Sequence, residues 1–389
     1  MRTPPGSVRS CASCARNSRD PVKPRDFALE RYFAKYEFTA KHLLCASDPQ
    51  AMTIAELLDF EPGARERFAN VWLGYTESCG APELRTAIAS TYGDSIDASN
   101  ALVHAGAEEP LFAFMNVALS AGDHVVVHCP AYQSHYAVAE AIGASVSRWT
   151  GDEADGWALD PDELERLVRK NTRVVLITSP HNPTGWCVDR ERLEAIVAIA
   201  RRHGLWLIAD EVYRGLERDL PAAPAACEMY ERAVSVGGTA KTYGLAGLRI
   251  GWLVTRDRAL LQSVAKFKDY LTICNSAPSE FLATLALEHS AELLDRTRAI
   301  VASNLDELDP FFARHAGRFG WQRPAGGTTA FPELLGGGAE RFCAGLVAEA
   351  GVLLLPGTLF DAGDAHFRIG YGRADLPRSL RVLEEYLSV

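Results

Sequence analysis

The sequence predicts an α/β protein: a large domain with a mostly parallel seven-stranded sheet between helices, followed by a smaller α+β domain. Two observations carry this prediction. Apolar runs of strand length alternate with helical segments between residues 101 and 254, and past Leu271 the alternation gives way to a long helical region. Continuous apolar strands that alternate with helices are typical of parallel sheets covered on both faces. A length of 389 residues also suggests about two domains.

The elements before the sheet are predicted to be helices. Residues 26–38 alternate apolar and charged side chains at roughly helical spacing. Thr53 and Glu56 have the spacing of a capping box, which predicts that a helix begins there. Pro82 precedes a helical pattern and suits the first position of a helix.

The alternating region and the end of the chain then follow in order. The predicted strands cover residues 101–104, 125–127, 145–149, 174–178, 206–209, 233–236 and 250–254. Predicted helices cover residues 109–119, 162–169 and 190–203. A helical region to about residue 312, a glycine-rich bend, short strands and a helix over residues 375–386 complete the chain. We predict a disordered tail (1–25), a segment joining the small domain (26–60), the large domain (61–275) and the small domain (276–389).

Composition excludes several classes of protein. The net charge of −10 argues against a nucleic-acid partner, and no apolar run reaches the ~18 residues that a membrane span needs. Nine cysteines without the spacing of a disulfide framework indicate reduced thiols and a cytoplasmic protein. Cys11 and Cys14 form one close pair, but a zinc site needs a second pair, so we predict no metal.

The first nineteen residues contain four arginines, several serines and no acidic residue. This composition fits a transit peptide, a disordered tail or a start codon placed too early. Pro4 and Pro5 interrupt any amphipathic helix, and this favours the disordered tail.

Lys241 follows the predicted strand 233–236 in a loop of glycines and small residues. A lone lysine after a strand is ordinarily a solvated surface residue. Gly237 and Gly238, however, let the backbone turn sharply and approach a ligand closely. A lysine that is partly removed from water has a lowered pKa and becomes a nucleophile able to form a Schiff base.

Informative polar residues recur where the predicted strands end, which is the edge where open α/β sheets bind ligands. Gly106 closes the first strand and opens a helix, whose free N–H groups suit an anion. Tyr132 follows the second strand, Asn182 stands between two prolines after the fourth, and Asp210 ends the fifth. Each of these has a plain structural reading as a turn, a surface aromatic or a helix cap.

Joined in order, these pieces resemble the fold-type I pyridoxal-phosphate enzymes, specifically the class I/II aminotransferases. Asn182, Asp210, Lys241 and Arg249 follow one another in the order and at the rough intervals of that family. The resemblance extends from about Tyr75 to Arg368. It implies pyridoxal 5′-phosphate as cofactor and transfer of an amino group between an α-amino acid and a 2-oxo acid.

The resemblance implies roles around the cofactor. Lys241 would hold it as a Schiff base and shuttle the proton, and Asp210 would pair with its pyridine nitrogen. The phenolic oxygen of the ring would accept hydrogen bonds from Asn182 and Tyr213. The remaining cofactor contacts implied are stacking by Tyr132 and phosphate binding by Gly106, Ala107, Glu108 and Arg249.

It also implies roles around the substrate and a partner subunit. Arg368 would bind the substrate α-carboxylate, for which a guanidinium fork is suited, and Asn182 would lie beside the substrate. Tyr75 would reach the phosphate of the neighbouring subunit, which implies a homodimer with a shared active site. Gly238 departs from the family, because many relatives carry Ser or Thr there; Thr239 is adjacent but out of register.

Two alternatives to transamination remain open. Residues 36–45 and 266–272 resemble capreomycidine-synthase-like members of the class, which implies a lyase or cyclase acting on an amino acid. A cofactor-sensing regulator would need an N-terminal DNA-binding domain. About seventy residues precede Tyr75, and they lack a helix-turn-helix pattern.

Overall fold

The computed structural model describes residues 23–218 and 221–388. Most of the predicted tail and the Cys11–Cys14 pair lie outside these ranges. Within them, no helix is both long and apolar enough to cross a membrane. The same residues contain no group of three or more His, Cys, Asp and Glu side chains that could hold a metal ion.

A seven-stranded sheet forms the centre of the protein, and its strand order is β1-β7-β6-β5-β4-β2-β3. Strand β7 runs antiparallel to both of its neighbours, β1 and β6, and all other pairs are parallel. The predicted mostly parallel sheet is therefore confirmed. Its strands are β1 (Ala101–His104), β2 (His124–Cys129), β3 (Ser145–Thr150), β4 (Thr172–Thr178), β5 (Trp206–Asp210), β6 (Ala233–Gly238) and β7 (Gly251–Val254).

Helices cover both faces of this sheet. Alternate strand residues point in opposite directions, so each strand contributes apolar side chains to the cores on both faces. Val125 and Val127 of β2 pack into one core, whereas Val126 packs into the core on the other face. The helices are α1 (Ala28–Tyr36), α2 (Ile54–Leu58), α3 (Ala64–Ala69), α4 (Pro82–Ala89), α5 (Glu108–Ala118), α6 (Ser134–Ile142), α7 (Pro161–Leu167), α8 (Arg190–His203), α9 (Ala226–Met229), α10 (Arg258–Lys268), α11 (Ala277–Glu288), α12 (Ser290–Arg314), α13 (Ala339–Glu349) and α14 (Leu376–Leu387).

The predicted N-terminal signals correspond to real helix starts. Thr53 and Glu56 form both hydrogen bonds of a capping box at α2. Pro82 is the first residue of α4. The helical region after Leu271 differs from the single stretch predicted, because His289 separates α11 from α12.

The C-terminal part forms its own core from α12, α13, α14 and short strands. These strands are β8 (Phe319–Gly320), β9 (Thr329–Ala330), β10 (Glu333–Leu334), β11 (Leu355–Pro356) and β12 (Phe367–Gly370). The N-terminal segment joins this core: His42 forms a β-bridge with Val352, and the Gly370 N–H donates to Leu44 O. The exact domain boundaries stay a prediction.

Candidate active site

A cavity of about 410 Å³ opens at the carboxyl ends of the central strands. The residues lining it follow several different strands, which is why distant sequence motifs meet there. Of the predicted site residues, those that line the cavity are Ala107, Glu108, Tyr132, Asn182, Asp210, Tyr213, Lys241, Arg249 and Arg368. The fold therefore brings most of the predicted site together in one place.

Lys241 lies just past β6 with its amine inside the cavity. The Nζ donates a hydrogen bond to Ser47 Oγ at 2.7 Å. Burial lowers the pKa of Lys241 to about 8; the charge of Asp48 opposes that shift and the charge of Arg368 adds to it. An amine with this pKa is partly uncharged near neutral pH and can act as a nucleophile or a base.

Asp210 is the last residue of β5, and its carboxylate is held from two sides. Its Oδ2 lies 3.2 Å from His135 Nε2, and its Oδ1 accepts from the Val212 N–H at 3.2 Å. The other ring nitrogen of His135, Nδ1, is buried without a hydrogen-bond partner among the described residues. Fixed in this way, the carboxylate can hold a cationic ring nitrogen at the cavity.

Asn182 and Tyr213 lie on the loops after β4 and β5. The Tyr213 hydroxyl donates to Ser47 O at 3.3 Å, and burial raises the pKa of this phenol. Asn182 Oδ1 accepts a hydrogen bond from Arg368 Nη1 at 3.0 Å. The asparagine amide thus links the strand-end loop to the arginine of the C-terminal part.

Arg368 projects from β12 and is 1 % exposed. Its Nη2 donates to Cys45 O at 2.9 Å, and burial lowers the pKa of its guanidinium. Its Nε is buried and has no hydrogen-bond partner within the described ranges. A buried guanidinium with an unused N–H is suited to a carboxylate ligand.

An anion-binding corner forms where β1 turns into α5. Gly106 has φ +84°, and a Cβ at this position would overlap the Arg249 guanidinium. The first N–H groups of α5, at Ala107 and Glu108, lie at the same corner. Free N–H groups at a helix start and a guanidinium together suit a phosphate group. Gly106 shapes this corner without lining the cavity itself.

Gly238, Thr239 and Glu108 lie next to residues of this corner. Gly238 lines the cavity, whereas the Thr239 hydroxyl hydrogen-bonds to Leu245 O and Ile250 O. Thr239 is therefore occupied by its own loop and does not replace the hydroxyl that many relatives carry. The Glu108 carboxylate accepts from Ser134 Oγ at 3.0 Å, and burial raises its pKa.

Tyr132 lines the cavity and connects it to helix α1. Its hydroxyl donates to Glu30 Oε1 at 2.6 Å, and its ring lies 4.8 Å from that of Phe27. The adjacent Gln133 exchanges hydrogen bonds with the backbone of Asp26 and Ala28. Stacking of Tyr132 on a cofactor ring stays a prediction.

Tyr75 lies away from the cavity of its own chain. Its side chain is 85 % exposed. This position is compatible with the predicted contact to a neighbouring subunit, and that role stays a prediction.

Sequence reasoning missed several cavity residues, among them Ser47, Asp48 and His135. His135 follows Tyr132 by three residues at the start of α6, so a search for polar residues one helical turn beyond each strand-end motif would find it. Ser47 and Asp48 belong to the N-terminal segment. Their approach to Lys241 depends on a contact between residues 194 positions apart, which no local pattern reports.

The cavity satisfies the chemical demands of the cofactor that the sequence implies. It combines an amine of lowered pKa, a fixed carboxylate and a phosphate-sized anion corner. A site of this composition can hold an aldehyde, a pyridinium nitrogen and a phosphate at once.

Comparisons with known proteins agree with this reading. The family model described as aminotransferase class I and II matches residues 42–380. Capreomycidine synthase from Streptomyces vinaceus is 32% identical over 375 residues, which cover 94% of each chain.

Solved structures give the same result. A PLP-dependent aminotransferase from Streptococcus suis 89-1591 is 30% identical and superposes with a TM-score of 0.88, over 94% of this chain and 98% of that chain. The PLP-dependent cyclase OrfR is 30% identical with a TM-score of 0.86, over 95% and 99% of the two chains. The chain thus belongs to the class I and II aminotransferase family, whose fold-type I members are pyridoxal 5′-phosphate enzymes.

Proposed function

We propose that this protein is an aminotransferase that moves an amino group between an α-amino acid and a 2-oxo acid. The observation that carries the proposal is the convergence of Lys241 and Arg368 on one cavity. One side chain offers an amine that can take up and release a proton, and the other offers a buried binding group for an α-carboxylate.

Each residue then has a defined task. When bound, pyridoxal phosphate supplies an aldehyde that receives the amino group and a ring that accepts electrons from the substrate Cα. Lys241 would carry the cofactor covalently and, once released, would move the proton at the substrate Cα. Asp210, oriented by His135, would keep the ring nitrogen protonated. Arg249 would bind the phosphate.

The orienting residues complete the arrangement. Arg368 would grip the substrate carboxylate through its unused Nε and its fork. Asn182 holds Arg368 through its amide oxygen and, with Tyr213, would bind the phenolic oxygen of the cofactor. Helix α1 and the segment around Ser47 cover the cavity and would limit access of water.

A second candidate is a lyase or cyclase acting on an amino acid. The supporting observation is that the match to capreomycidine synthase covers 94% of this chain, and the match to the cyclase OrfR covers 95%. The cavity residues described above serve either reaction, because which Cα bond breaks depends on its orientation to the ring.

We also propose a cytoplasmic homodimer with shared active sites. The dimer is supported by large apolar side chains that are exposed around Tyr75, namely Trp72 and Leu73. The cytoplasmic location is supported by cysteines without the spacing of a disulfide framework.

The test is a single half-reaction. The holoenzyme is incubated with amino acids in the absence of a 2-oxo acid, and cofactor absorbance, released 2-oxo acid and ammonia are measured. Transamination converts the cofactor to its amine form and yields one 2-oxo acid per site without ammonia. If the absorbance never converts while ammonia or a cyclic product appears, the second candidate is correct and transamination is wrong.

A further inference from the structure

Helix α1 presents two carboxylates to the active-site cavity. Glu30, Phe33 and Glu37 are spaced three and four residues apart, so they lie on one face of the helix, with Glu37 at its C-cap. All three line the cavity, as does Leu29. The face that α1 turns toward the site is therefore acidic at both ends and apolar between them.

Within the described ranges, neither of these carboxylates forms a salt bridge. Glu30 accepts a hydrogen bond from the uncharged Tyr132 hydroxyl at 2.6 Å. Burial raises the pKa of Glu37, and the charge of Asp48 raises it further, whereas the charges of Arg373 and Lys241 lower it without reversing the shift. A half-buried carboxylate without a salt bridge is costly, and a cationic ligand would offset that cost.

The other charged groups of the cavity already have partners or tasks. Asp210 contacts His135, and Asp48 forms an ion pair with Arg373 at 2.8 Å. Among the lining cations, Lys241 and Arg249 serve the cofactor and Arg368 serves the α-carboxylate under the proposed function. Glu108 lies at the start of α5, in the corner that would bind the cofactor phosphate, and accepts from Ser134 Oγ. The carboxylates that remain for a substrate side chain are Glu30 and Glu37.

We propose that the substrate is an α-amino acid with a cationic side chain, guanidinium or ammonium, which Glu30 and Glu37 bind. The inference rests on the proposed function for the position of the α-carboxylate, at the buried and unpartnered Nε of Arg368. Phe33 lies between the two carboxylates along the helix and offers an apolar surface for the methylene groups of such a side chain.

The charge distribution also disfavours acidic substrates. A second carboxylate on the substrate side chain would face Glu30 and Glu37, and like charges at short range repel each other. A neutral side chain of the same shape would leave both carboxylates without a partner. The site therefore discriminates by charge more than by size.

The experiment compares L-arginine, L-lysine, L-citrulline and L-glutamate with the holoenzyme. Citrulline is the matched probe, because it has nearly the shape of arginine without the charge. Spectral titration gives the half-saturating concentration, and product analysis separately gives the chemistry. We expect arginine or lysine to saturate at a concentration at least about tenfold lower than citrulline, with glutamate the weakest. The order of arginine and lysine tells guanidinium from ammonium.

Variants assign the effect to the two residues. Glu30→Gln and Glu37→Gln remove the charge but keep the shape of the side chain and its ability to hydrogen-bond. Each should raise the half-saturating concentration of the preferred cationic amino acid about tenfold. The half-saturating concentration of citrulline should change little. Glu191→Gln removes an exposed carboxylate on α8 and is the control for net charge. An unchanged cofactor spectrum shows that each variant keeps its site.

The outcomes separate this inference from the proposed function. If citrulline or glutamate saturates as readily as arginine and lysine, or if the variants weaken charged and neutral amino acids equally, the substrate class is wrong even when transamination occurs. If arginine or lysine binds preferentially but no amino group reaches the cofactor, the substrate class stands and transamination fails.

Discussion

At the scale of single residues, the surroundings of Lys241 determine its chemistry. A lysine in water is charged at neutral pH, but burial disfavours the ammonium and lowers the pKa of Lys241 to about 8. Ser47 accepts a hydrogen bond from the amine and so fixes its position. The pKa and the position together suit this lysine to the role proposed for it.

The pKa of Lys241 predicts how covalent cofactor binding depends on pH. Only the neutral amine attacks an aldehyde, so the rate at which apoenzyme binds pyridoxal phosphate should rise between about pH 7 and 9 and then level off. The measurement is the growth of cofactor absorbance after mixing. Lys241→Ala should show no covalent band at any pH, and a rate that keeps rising toward about pH 10.5, as for an exposed lysine, would contradict the assignment.

Arg368→Lys separates substrate binding from cofactor binding. The ammonium cannot reproduce the bidentate fork, so the KM for the amino acid should rise about tenfold to a hundredfold while the cofactor spectrum is unchanged. Steady-state kinetics measure this effect. Arg314→Lys is the matched control, because Arg314 also forms a two-point contact, with Glu384, but lies outside the cavity lining. Loss of cofactor from Arg368→Lys would mean that the carboxylate site is misplaced.

At the scale of elements, the anion corner depends on the turn between β1 and α5. This turn passes close to the segment that precedes β7 and carries Arg249. Strand β7 pairs with β1, which brings Arg249, two residues before β7, against Gly106. A side chain at residue 106 would occupy the space of the guanidinium. The corner therefore depends on glycine for its conformation and for its lack of a side chain.

Gly106→Ala should weaken phosphate binding. The substitution places a methyl group against Arg249 and adds backbone strain of about 1–2 kcal/mol, because φ is +84°. We expect the Kd for pyridoxal phosphate to rise at least about tenfold. Equilibrium titration of apoenzyme measures it.

Gly122→Ala provides the control for backbone strain alone. Gly122 has φ +87°, and a Cβ there meets nothing within 4 Å. This variant should lose stability to a similar degree and keep its cofactor affinity. Equal effects of the two substitutions on Kd would show that contact with Arg249 is irrelevant to binding.

At the scale of the whole molecule, the surface around Tyr75 supports the proposed homodimer. Trp72, Leu73 and Tyr75, neighbours in the chain, are 78 %, 81 % and 85 % exposed. Large apolar side chains grouped on a surface usually mark an interface. A homodimer would bury this group and bring Tyr75 to the phosphate corner of the partner.

Mixed dimers test the shared site. Tyr75→Ala and Lys241→Ala homodimers should both have little activity, and a purified dimer with one variant in each subunit should recover about half of the wild-type turnover, because one of its two sites is intact. Differently tagged chains allow its isolation. A dimer of wild-type chain and the double variant is the control and should remain inactive, because neither of its sites is complete. If the control dimer is instead the active one and the dimer with one variant in each subunit is inactive, Tyr75 serves the site of its own chain and a shared site is excluded.

Local sequence patterns predict the class of fold and most of the candidate site. Apolar runs alternating with helical segments predicted the central sheet, because burial on both faces leaves a continuous apolar pattern. Local patterns place Asn182, Asp210, Lys241 and Arg249 after or beside predicted strands, and the resemblance to a known family, read from their order, implies their roles. Apolar runs, prolines and glycines are local features, so they can be recognised in the sequence without knowledge of the fold.

What surrounds those groups depends on how distant segments pack in the folded chain. The contact of Lys241 with Ser47, that of Asp210 with His135 and the placement of Glu30 in the cavity join residues that are distant in the chain. No local pattern reports such contacts, because each arises only when separately predicted elements pack together. Charge balance in a cavity is a property of that packing, and for this reason the preference for a cationic substrate became apparent only from the folded chain.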